Sequence, residues 1–479
     1  MAASNRIGSS LKKPRPELHS PQGKGNFHSC PYMETRIMRV LIVAGLGFGD
    51  EGKGSIVDYL CRKYESKLVC RYNGGAQAGH NVVTSDGKHL CFSQWGSGTF
   101  AGAKTYLSKY MLVNPTFMLP EGEHLVSLGV TDAFERMFID YNALVTTPFH
   151  VTLNRFRETS RRASSTLEFG TCGMGIGETV DRATRYPELA IRMRDFSDLK
   201  VLTGKLEMLR TEVRREVYDL TRTWSENKGL DLDYDILEDP DTVDRFISTT
   251  QDILNRGITV VKPLDKGFVE DTIIFEGAQG VLLDEEWGFH PHTTWSNCTF
   301  DNAMKLVKQF AGTKGAKVTR LGVTRPYHTR HGAGPLPSER DDLEIKDHNT
   351  KGEWQGSFRL GYFDFVMARY AKFIIEDLDG IAINHLDQVS GPQKVCIAHN
   401  FQGSNMYRIN FGIDHETHLG LEAMAKEDGE EAEPVQSVVS AVYTELGSVN
   451  RLTQAISRVF KAPLTIIGYG PTAEDKREL

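Results

Sequence analysis

Short apolar runs alternate with longer amphipathic stretches along this chain. The run Val40–Ala44 is followed by glycines and then by a helical pattern over Ser55–Tyr64, which predicts a buried strand, a glycine loop and a helix. Similar apolar runs recur at Lys67–Arg71, Thr272–Phe275, Val318–Val323, Gly380–Ile383 and Leu464–Ile467, and helical patterns lie at Leu199–Leu220, Thr242–Arg256, Asn302–Phe310 and Asn450–Phe460. This alternation predicts an α/β fold with a mainly parallel central sheet, flanked by helices and carrying inserted subdomains.

The first 37 residues differ in composition from the rest. They contain six Lys or Arg residues against two acids, with Pro, Ser and Gly throughout and no apolar segment of the kind found in secretory signals. We expect residues 1–37 to form a disordered extension, with a transit peptide as the alternative. Residues 38–479 are then expected to form the folded domain.

Composition excludes several classes of function. A net charge of −7 over 479 residues argues against a nucleic-acid or membrane-surface binder, because both partners attract positive charge. Seven cysteines without CxxC spacing indicate reduced thiols and a cytoplasmic protein rather than disulfides or a zinc site. No apolar run is long enough for a transmembrane helix.

The glycine loop Gly45–Gly54 (GLGFGDEGKG) is the strongest chemical signal. Its backbone N–H groups, the following helix N-terminus and Lys53 predict a phosphate site, which makes the fold P-loop-like. Gly54 stands where such loops carry the Ser or Thr hydroxyl that binds Mg²⁺. Two acids, Asp50 and Glu51, lie inside the loop instead. Because acids repel phosphates, Asp50 is a candidate magnesium ligand, a general base, or both.

A second glycine-rich loop, Asn73–His80, follows the second predicted strand. Ligand crevices in parallel α/β sheets lie at the carboxyl ends of strands, so we expect this loop to face the first one. His80 at its end is suited to stabilise charge on a transferring phosphoryl group or to donate a proton to it. A plain structural histidine is the alternative.

Together these motifs resemble the adenylosuccinate synthetase family over about residues 38–475. The resemblance rests on seven segments in order: GDEGKG (Gly49–Gly54), AGH (Ala78–His80), FGTCGMGIG (Phe169–Gly177), EGAQGVLLD (Glu276–Asp284), RPYHTRHGAGP (Arg325–Pro335), HLD (His385–Asp387) and GYGP (Gly468–Pro471).

The resemblance implies a GTP-dependent ligase that joins the amine of L-aspartate to C6 of IMP through a 6-phosphoryl intermediate. Asp50 would abstract the N1 proton of IMP, His80 would assist phosphoryl transfer, and Gln279 would contact the developing 6-oxyanion. Asp50 and the backbone of Gly79 would bind Mg²⁺. The family is typically homodimeric.

The resemblance also assigns the two nucleotide sites. GTP would be bound by Gly49, Glu51, Gly52, Lys53, Gly54, His385, Asp387, Gly468 and Gly470, with the carboxylate of Asp387 accepting from guanine N1 and N2. The other substrates would be bound by Gln77, Thr171, Cys172, Arg185, Thr294, Arg330, His331 and Arg359. Arg185 would reach the partner subunit's site, and a solvated helix arginine is the alternative.

The chain departs from the family pattern on the substrate side. The segment Glu353–Asp364 has lost the threonines and most arginines of the family's aspartate-binding loop and keeps Arg359. Cys172, His331 and His385 replace a threonine, a valine and a lysine. A paralogue acting on dGMP, or on another amine, is therefore an alternative, although the presence of both Asp50 and Asp387 disfavours the dGMP type. Two other classes are a GTP-binding regulator and a simple P-loop hydrolase; Gly54 argues against the hydrolase.

Overall fold

The computed structural model describes residues 37–163, 170–224, 229–262, 271–311, 315–346, 354–412, 414–415 and 439–479. The extension predicted for residues 1–37 lies outside these ranges except for Ile37, so that expectation stays a prediction. Within the described ranges, no helix is both long enough and apolar enough to cross a membrane.

The described strands and helices follow one another in α/β order. The strands are β1 Met38–Gly45, β2 Leu68–Arg71, β3 His80–Val83, β4 His89–Phe92, β5 Lys104–Leu107, β6 Met137–Asp140, β7 Thr259–Val261, β8 Thr272–Gly280, β9 Ala316–Thr324, β10 Tyr327–His331, β11 Phe358–Asp364, β12 Gly380–Ile383, β13 Gln393–Phe401, β14 Ser404–Met406, β15 Ser440–Leu446, β16 Leu464–Gly468 and β17 Lys476–Glu478. The helices are α1 Lys53–Lys63, α2 Pro115–Ser127, α3 Pro148–Ala163, α4 Ile176–Arg185, α5 Leu199–Thr221, α6 Asp231–Glu238, α7 Thr242–Asn255, α8 Asp301–Ala311, α9 Phe365–Ile375 and α10 Val449–Phe460.

Ten strands form the central sheet, in the order β17-β16-β12-β9-β1-β8-β2-β5-β6-β7. All neighbours in it are parallel except β17, which runs antiparallel to β16. The predicted α/β class with a mainly parallel sheet is therefore confirmed.

Strand β1 is buried on both faces, which explains its continuous apolar sequence. Val40 and Ile42 belong to a core that also contains α9 residues, whereas Leu41 and Val43 pack with residues of α1 on the opposite face. Helix α1 begins at Lys53, two residues before the predicted start, because the left-handed Gly52 ends the loop there.

Inserted subdomains are present, as predicted. Helices α3 to α7 lie between β6 and β7 in sequence, and they contribute to a second core around Phe149, Leu206 and Phe246. A smaller sheet is formed by β10, β11, β13, β14 and β15. The segment interpreted as an amine-binding loop differs from expectation, because its described part from Phe358 to Asp364 is strand β11 of this smaller sheet.

Candidate active site

The glycine loop is folded around the side chain of Glu51. Its Oε1 accepts from the backbone N–H groups of Gly47 and Gly49, each at 2.9 Å, and its Oε2 accepts from Lys53 Nζ at 2.9 Å. Lys53 Nζ also donates to Gly49 O at 2.7 Å. Although burial alone raises the pKa of Glu51, the ammonium of Lys53 and these hydrogen bonds take that pKa below its ordinary value. The Glu51 side chain thus supports the loop from inside.

The loop lies directly against the end of β8. A Cβ added at Gly280 would lie 2.2 Å from Gly47 O and 2.7 Å from Glu51 Oε1. A Cβ at Gly45 would lie 2.3 Å from Glu51 Oε2. Only glycine fits at these two positions because no heavier atom has room between strand and loop.

A cavity of about 630 Å³ opens beside this loop. Most of the residues predicted to be catalytic or to bind substrate line this cavity. Its lining includes Gly49, Asp50, Gln77, Gly79, His80, Thr171, Cys172, Arg185, Gln279, Thr294, Arg330 and His331. The structure thus brings together all three predicted catalytic side chains and both predicted metal ligands. Arg359 is not among the lining residues.

His80 is held by a buried carboxylate. Its Nδ1 lies 2.5 Å from Glu276 Oε1, and Glu276 Oε2 accepts from Ser97 N at 2.9 Å. Burial lowers the pKa of His80 to about 4, and although burial alone raises the pKa of Glu276, Arg71 and His80 bring it to about 2. At neutral pH an ionised Glu276 therefore accepts from Nδ1–H, which leaves Nε2 of His80 as the nitrogen that can act in the cavity.

Asp50 faces the same cavity. Its side chain is 22% exposed, and Oδ2 lies 3.7 Å from His331 Nε2. Burial raises the pKa of Asp50, while His331 and Arg325 act in the opposite direction. A carboxylate with a raised pKa at the wall of a cavity is suited to accept a proton from a bound substrate.

Several buried polar atoms at the cavity have no hydrogen-bond partner within the described chain. They are Nε2 and Oε1 of Gln77, Nε2 of His80, Oε1 of Gln279 and Nδ1 of His331. Gln279 also adopts a left-handed backbone with φ of 60°, which is uncommon for a residue with a side chain. Because buried polar groups normally have partners, this cluster indicates a site that is completed by a polar ligand.

The segment predicted to hold the substrate phosphate is anchored to α3. Thr171 Oγ1 accepts from Asn154 Nδ2 at 3.3 Å and lies 3.5 Å from Glu158. Burial raises the pKa of Cys172 to about 12, so this side chain is a neutral thiol. Thr294 is buried in the cavity wall, whereas Arg185 is 66% exposed at the cavity rim and pairs with Asp181 at 2.8 Å.

Arg330 and Arg359, two of the arginines predicted to bind substrate, both have internal partners. Arg330 is buried and donates to the carbonyl oxygens of Ala333 and Pro335 at 3.0 Å and of His292 at 3.2 Å. Arg359 pairs with Glu339 and donates to the carbonyls of Gly332 at 2.9 Å and Gly334 at 2.8 Å. In this arrangement both arginines hold the turn after β10, and the predicted contact of Arg359 with substrate stays a prediction.

The segments predicted to bind the guanine base lie at the ends of β12 and β16. Asn384 Nδ2 donates to the carbonyls of Glu51 at 3.1 Å and Gly52 at 2.9 Å, which fixes the segment His385–Asp387 against the glycine loop. His385 has a left-handed φ of 58°, and Asp387 is exposed. Gly468 is the last residue of β16 and Gly470 lies in the loop that follows, with Gly470 O accepting from Lys476 Nζ at 2.6 Å.

Three residues with roles at the site were missed by the sequence analysis. Glu276 was quoted only as part of a motif, Asn384 directly precedes the predicted base-reading segment, and Lys476 lies beyond the last motif. Glu276 offered one usable signal, since it is an acid within an apolar strand and such a residue needs a buried partner. The roles of Asn384 and Lys476 depend on contacts between strand ends that are far apart in sequence.

Comparison with known proteins agrees with this geometry. The model of the adenylosuccinate synthetase family matches residues 42–477. The adenylosuccinate synthetase of Chlorobium chlorochromatii is 31% identical over 390 residues, covering 78% of this chain and 83% of that protein, and that of Thermoplasma acidophilum is 34% identical, covering 74% and 77%. Among solved structures, the fully ligated adenylosuccinate synthetase of Plasmodium falciparum has a similar fold, with a TM-score of 0.68 at 21% identity over 93% of this chain and all of that one. The succinoaminodeoxyadenylate synthetase of cyanophage S-2L, solved with dGMP and with dATP as an energy donor, gives 0.56 at 16% identity over 92% and 96%. This chain therefore belongs to the adenylosuccinate synthetase family.

Proposed function

We propose that this protein is a GTP-dependent C–N ligase that phosphorylates the 6-oxygen of a purine nucleotide, with IMP as the first candidate, and replaces the phosphate with the amine of L-aspartate. The observation that carries the proposal is the meeting of Asp50, His80 and Gln279 in one cavity beside the glycine loop. A carboxylate, an imidazole and an amide at one wall supply a base, a charge-stabilising group and a contact for the purine oxygen.

The chemistry follows from these groups in two steps. Asp50 takes the N1 proton of the purine, which places negative charge on the 6-oxygen and makes it a nucleophile toward the γ-phosphorus of GTP. His80 Nε2 donates to the transferring phosphoryl group once the ring has taken up a second proton, which the negative charges of Glu276 and of the bound phosphates favour. GDP leaves, the amine attacks C6, and inorganic phosphate departs with the former 6-oxygen.

The residues present suit Mg²⁺. Asp50 supplies a hard carboxylate oxygen, and Gly79 adds a backbone carbonyl in the same cavity wall. Burial raises the pKa of Asp50 and thereby favours the neutral carboxyl group. A cation nearby would lower that pKa and favour the ionised carboxylate. When bound, Mg²⁺ would neutralise charge on the phosphate oxygens during transfer. Asp50 and Gly79 are the residues of this chain that we propose to hold it.

The choice of GTP rests on Asp387. Its exposed carboxylate follows β12 at the end of the sheet that also presents the glycine loop. A carboxylate can accept from the N1–H and the 2-amino group of guanine, a donor pair that adenine lacks. GTP is therefore the proposed phosphoryl donor.

An amine other than aspartate is a second candidate, favoured by one observation. Arg330 and Arg359 donate to internal carbonyls and to Glu339, and a dicarboxylate usually binds to arginine forks. An amino acid with a single carboxylate would need fewer such forks. The dGMP alternative remains disfavoured because Asp50 and Asp387 are both present.

We also propose a cytoplasmic homodimer. The described cysteines are free thiols, which suits a reducing compartment. An apolar groove of about 570 Å³ lies between α4 and α5, with Tyr186 and Met208 about half exposed. Arg185 is the neighbour of Tyr186 in sequence, so a second copy seated on this groove would meet Arg185, the residue that the resemblance assigns to the partner's site.

A substrate matrix tests the function directly. The protein is incubated with GTP or ATP, with IMP, GMP or dGMP, and with each of the twenty amino acids, and adducts are detected by mass spectrometry. We expect an adduct only with GTP, and first with IMP and aspartate; Asp50→Asn should abolish it while GDP still binds. Reaction of a different pair would change the substrate and leave the mechanism intact. No adduct from any pair, with nucleotide binding preserved in both proteins, would instead indicate a GTP-binding regulator.

A further inference from the structure

The loop between β16 and β17 is folded around two side chains from its own C-terminal end. Asp475 Oδ2 accepts from Thr472 N and Thr472 Oγ1, both at 2.8 Å. Lys476 Nζ donates to Gly470 O at 2.6 Å and to Thr472 O at 3.0 Å. The conformation of Gly468–Thr472 is therefore set by these two charged groups.

Lys476 also lies close to Asn384, the residue that precedes the segment carrying Asp387. A Cβ added at Gly468 would lie 2.9 Å from Lys476 Cδ and 2.6 Å from Asn384 Oδ1, so the lysine chain and the asparagine amide both border that glycine. Asn384 in turn donates to the glycine loop and is followed by His385–Asp387. Lys476 thus lies where the loop after β16 meets the segment after β12.

The charge of Lys476 is buried among acids. The residue is 7% exposed, and burial lowers the pKa of its ammonium to about 8. The carboxylates of Asp475, Asp387, Asp58 and Glu474 act in the opposite direction. A buried ammonium is costly unless its donors and its charge are both used. Here the donors hold two loop carbonyls, and Asp387 is one of the nearby carboxylates that favour the charged ammonium.

We propose that Lys476 is a positioning residue for the guanine base, which sets the Gly468–Thr472 loop beside the segment that carries Asp387. The inference rests on the proposed function, since it takes these segments as the base site. Lys476 should therefore matter for affinity toward guanine nucleotides and for their preference over adenine nucleotides. It should not matter for the phosphoryl-transfer step, because its contacts lie at the base end rather than in the catalytic cavity.

The test measures binding of GDP and ADP by calorimetry and then steady-state kinetics. Lys476→Met keeps the length of the side chain without the ammonium, and Arg477→Met is the matched control, because Arg477 is the exposed next residue of β17. We expect K476M to weaken GDP binding at least tenfold, to change ADP binding less than threefold, and to raise the KM for GTP with kcat changed less than twofold. R477M should resemble the unmutated protein.

A pH series on the unmutated protein supplies a readout that does not require a variant to fold. The GDP affinity of the unmutated protein should fall as pH rises through about 8, because Lys476 is charged below that pKa and loses its charge above it. In K476M only the weaker change caused by titration of guanine itself should remain.

Two results would overturn the inference while leaving the proposed function standing. One is GDP binding by K476M that equals that of the unmutated protein. The other is an equal loss of affinity for GDP, ADP and the purine substrate, which would indicate a merely structural lysine. Failure of the unmutated protein to bind any guanine nucleotide would instead overturn the proposed function, and this inference with it.

Discussion

At the scale of single residues, two buried carboxylates each hold a different part of the candidate site in place. Glu51 satisfies the backbone N–H groups of Gly47 and Gly49, and Glu276 accepts from the Nδ1 of His80. Neither needs to touch substrate, since each acts through the group that it contacts. Asp50 and His80, the residues that we propose to carry the chemistry, therefore depend on neighbours that motif spacing alone does not identify.

Replacing Glu276 by glutamine should slow catalysis with little effect on binding. Glu276→Gln keeps the size of the side chain but removes the charge that stabilises a positive His80 ring, so we expect kcat to fall roughly 100-fold. GDP affinity should change less than threefold, because Glu276 is not part of the cavity lining. Stopped assays and calorimetry give the two values.

Glu121→Gln is the matched control for this change. Glu121 is another enclosed carboxylate, and it accepts from the backbone N–H groups of Ser93, Gln94 and Trp95 rather than from His80. Its variant should keep kcat within about twofold. A kcat for E276Q equal to that of the unmutated enzyme would contradict the role assigned to Glu276.

At the scale of elements, the site depends on the close contact between the glycine loop and β8. Gly280 has an extended backbone with φ of −138°, so any residue could adopt its conformation. Glycine is required at this position for steric reasons only, because a Cβ there would clash with the backbone carbonyl oxygen of Gly47. The strand end therefore fixes where the backbone of the glycine loop lies.

A methyl group at Gly280 should displace the loop. We expect Gly280→Ala to lower the free energy of unfolding by about 1–3 kcal/mol, as overpacking does, and to raise the KM for GTP more than tenfold. Gly204→Ala is the control, because Gly204 lies within α5 with nothing near its Cβ, and it should stabilise by about 0.5–1 kcal/mol. Denaturant titration and kinetics check both, and an unchanged KM for G280A would contradict the expected displacement.

The long apolar strands and the glycine loop were predictable because burial on both faces leaves a continuous apolar run, as in β1. The four-residue strands β5 and β6 were not identified, although β2 and β12 of the same length were. The two glycine loops indicated Asp50 and His80, and the family resemblance added Gln279. Neither could show that Arg359 pairs with Glu339, because that contact depends on the bridge between Glu339 and Gly361 of β11.

At the scale of the whole molecule, the inserted helices between β6 and β7 bring the predicted substrate-phosphate segment to the cavity. They also present the groove between α4 and α5, where Tyr186 and Met208 are half exposed. Exposed apolar area of this kind commonly marks an interface between subunits. With Arg185 at its edge, the proposed homodimer would connect assembly to the substrate site.

A charge placed in this groove should separate the subunits. We expect sedimentation to give a dimer for the unmutated protein and a monomer for Met208→Glu, with the KM for the purine nucleotide raised about tenfold or more because burying an unpaired carboxylate is costly. The control Tyr218→Glu changes an exposed residue near the C-terminal end of α5, and this variant should remain dimeric. A dimeric M208E with unchanged KM would show that the subunits associate elsewhere.

The carboxylate of Glu51 inside the glycine loop has a consequence for the protein when no nucleotide is bound. Because the N–H groups of Gly47 and Gly49 already have an internal acceptor, the loop needs no bound anion to stay folded. The backbone of an empty loop would then already have the fold that it keeps when a nucleotide binds, so little ordering of the loop would oppose binding.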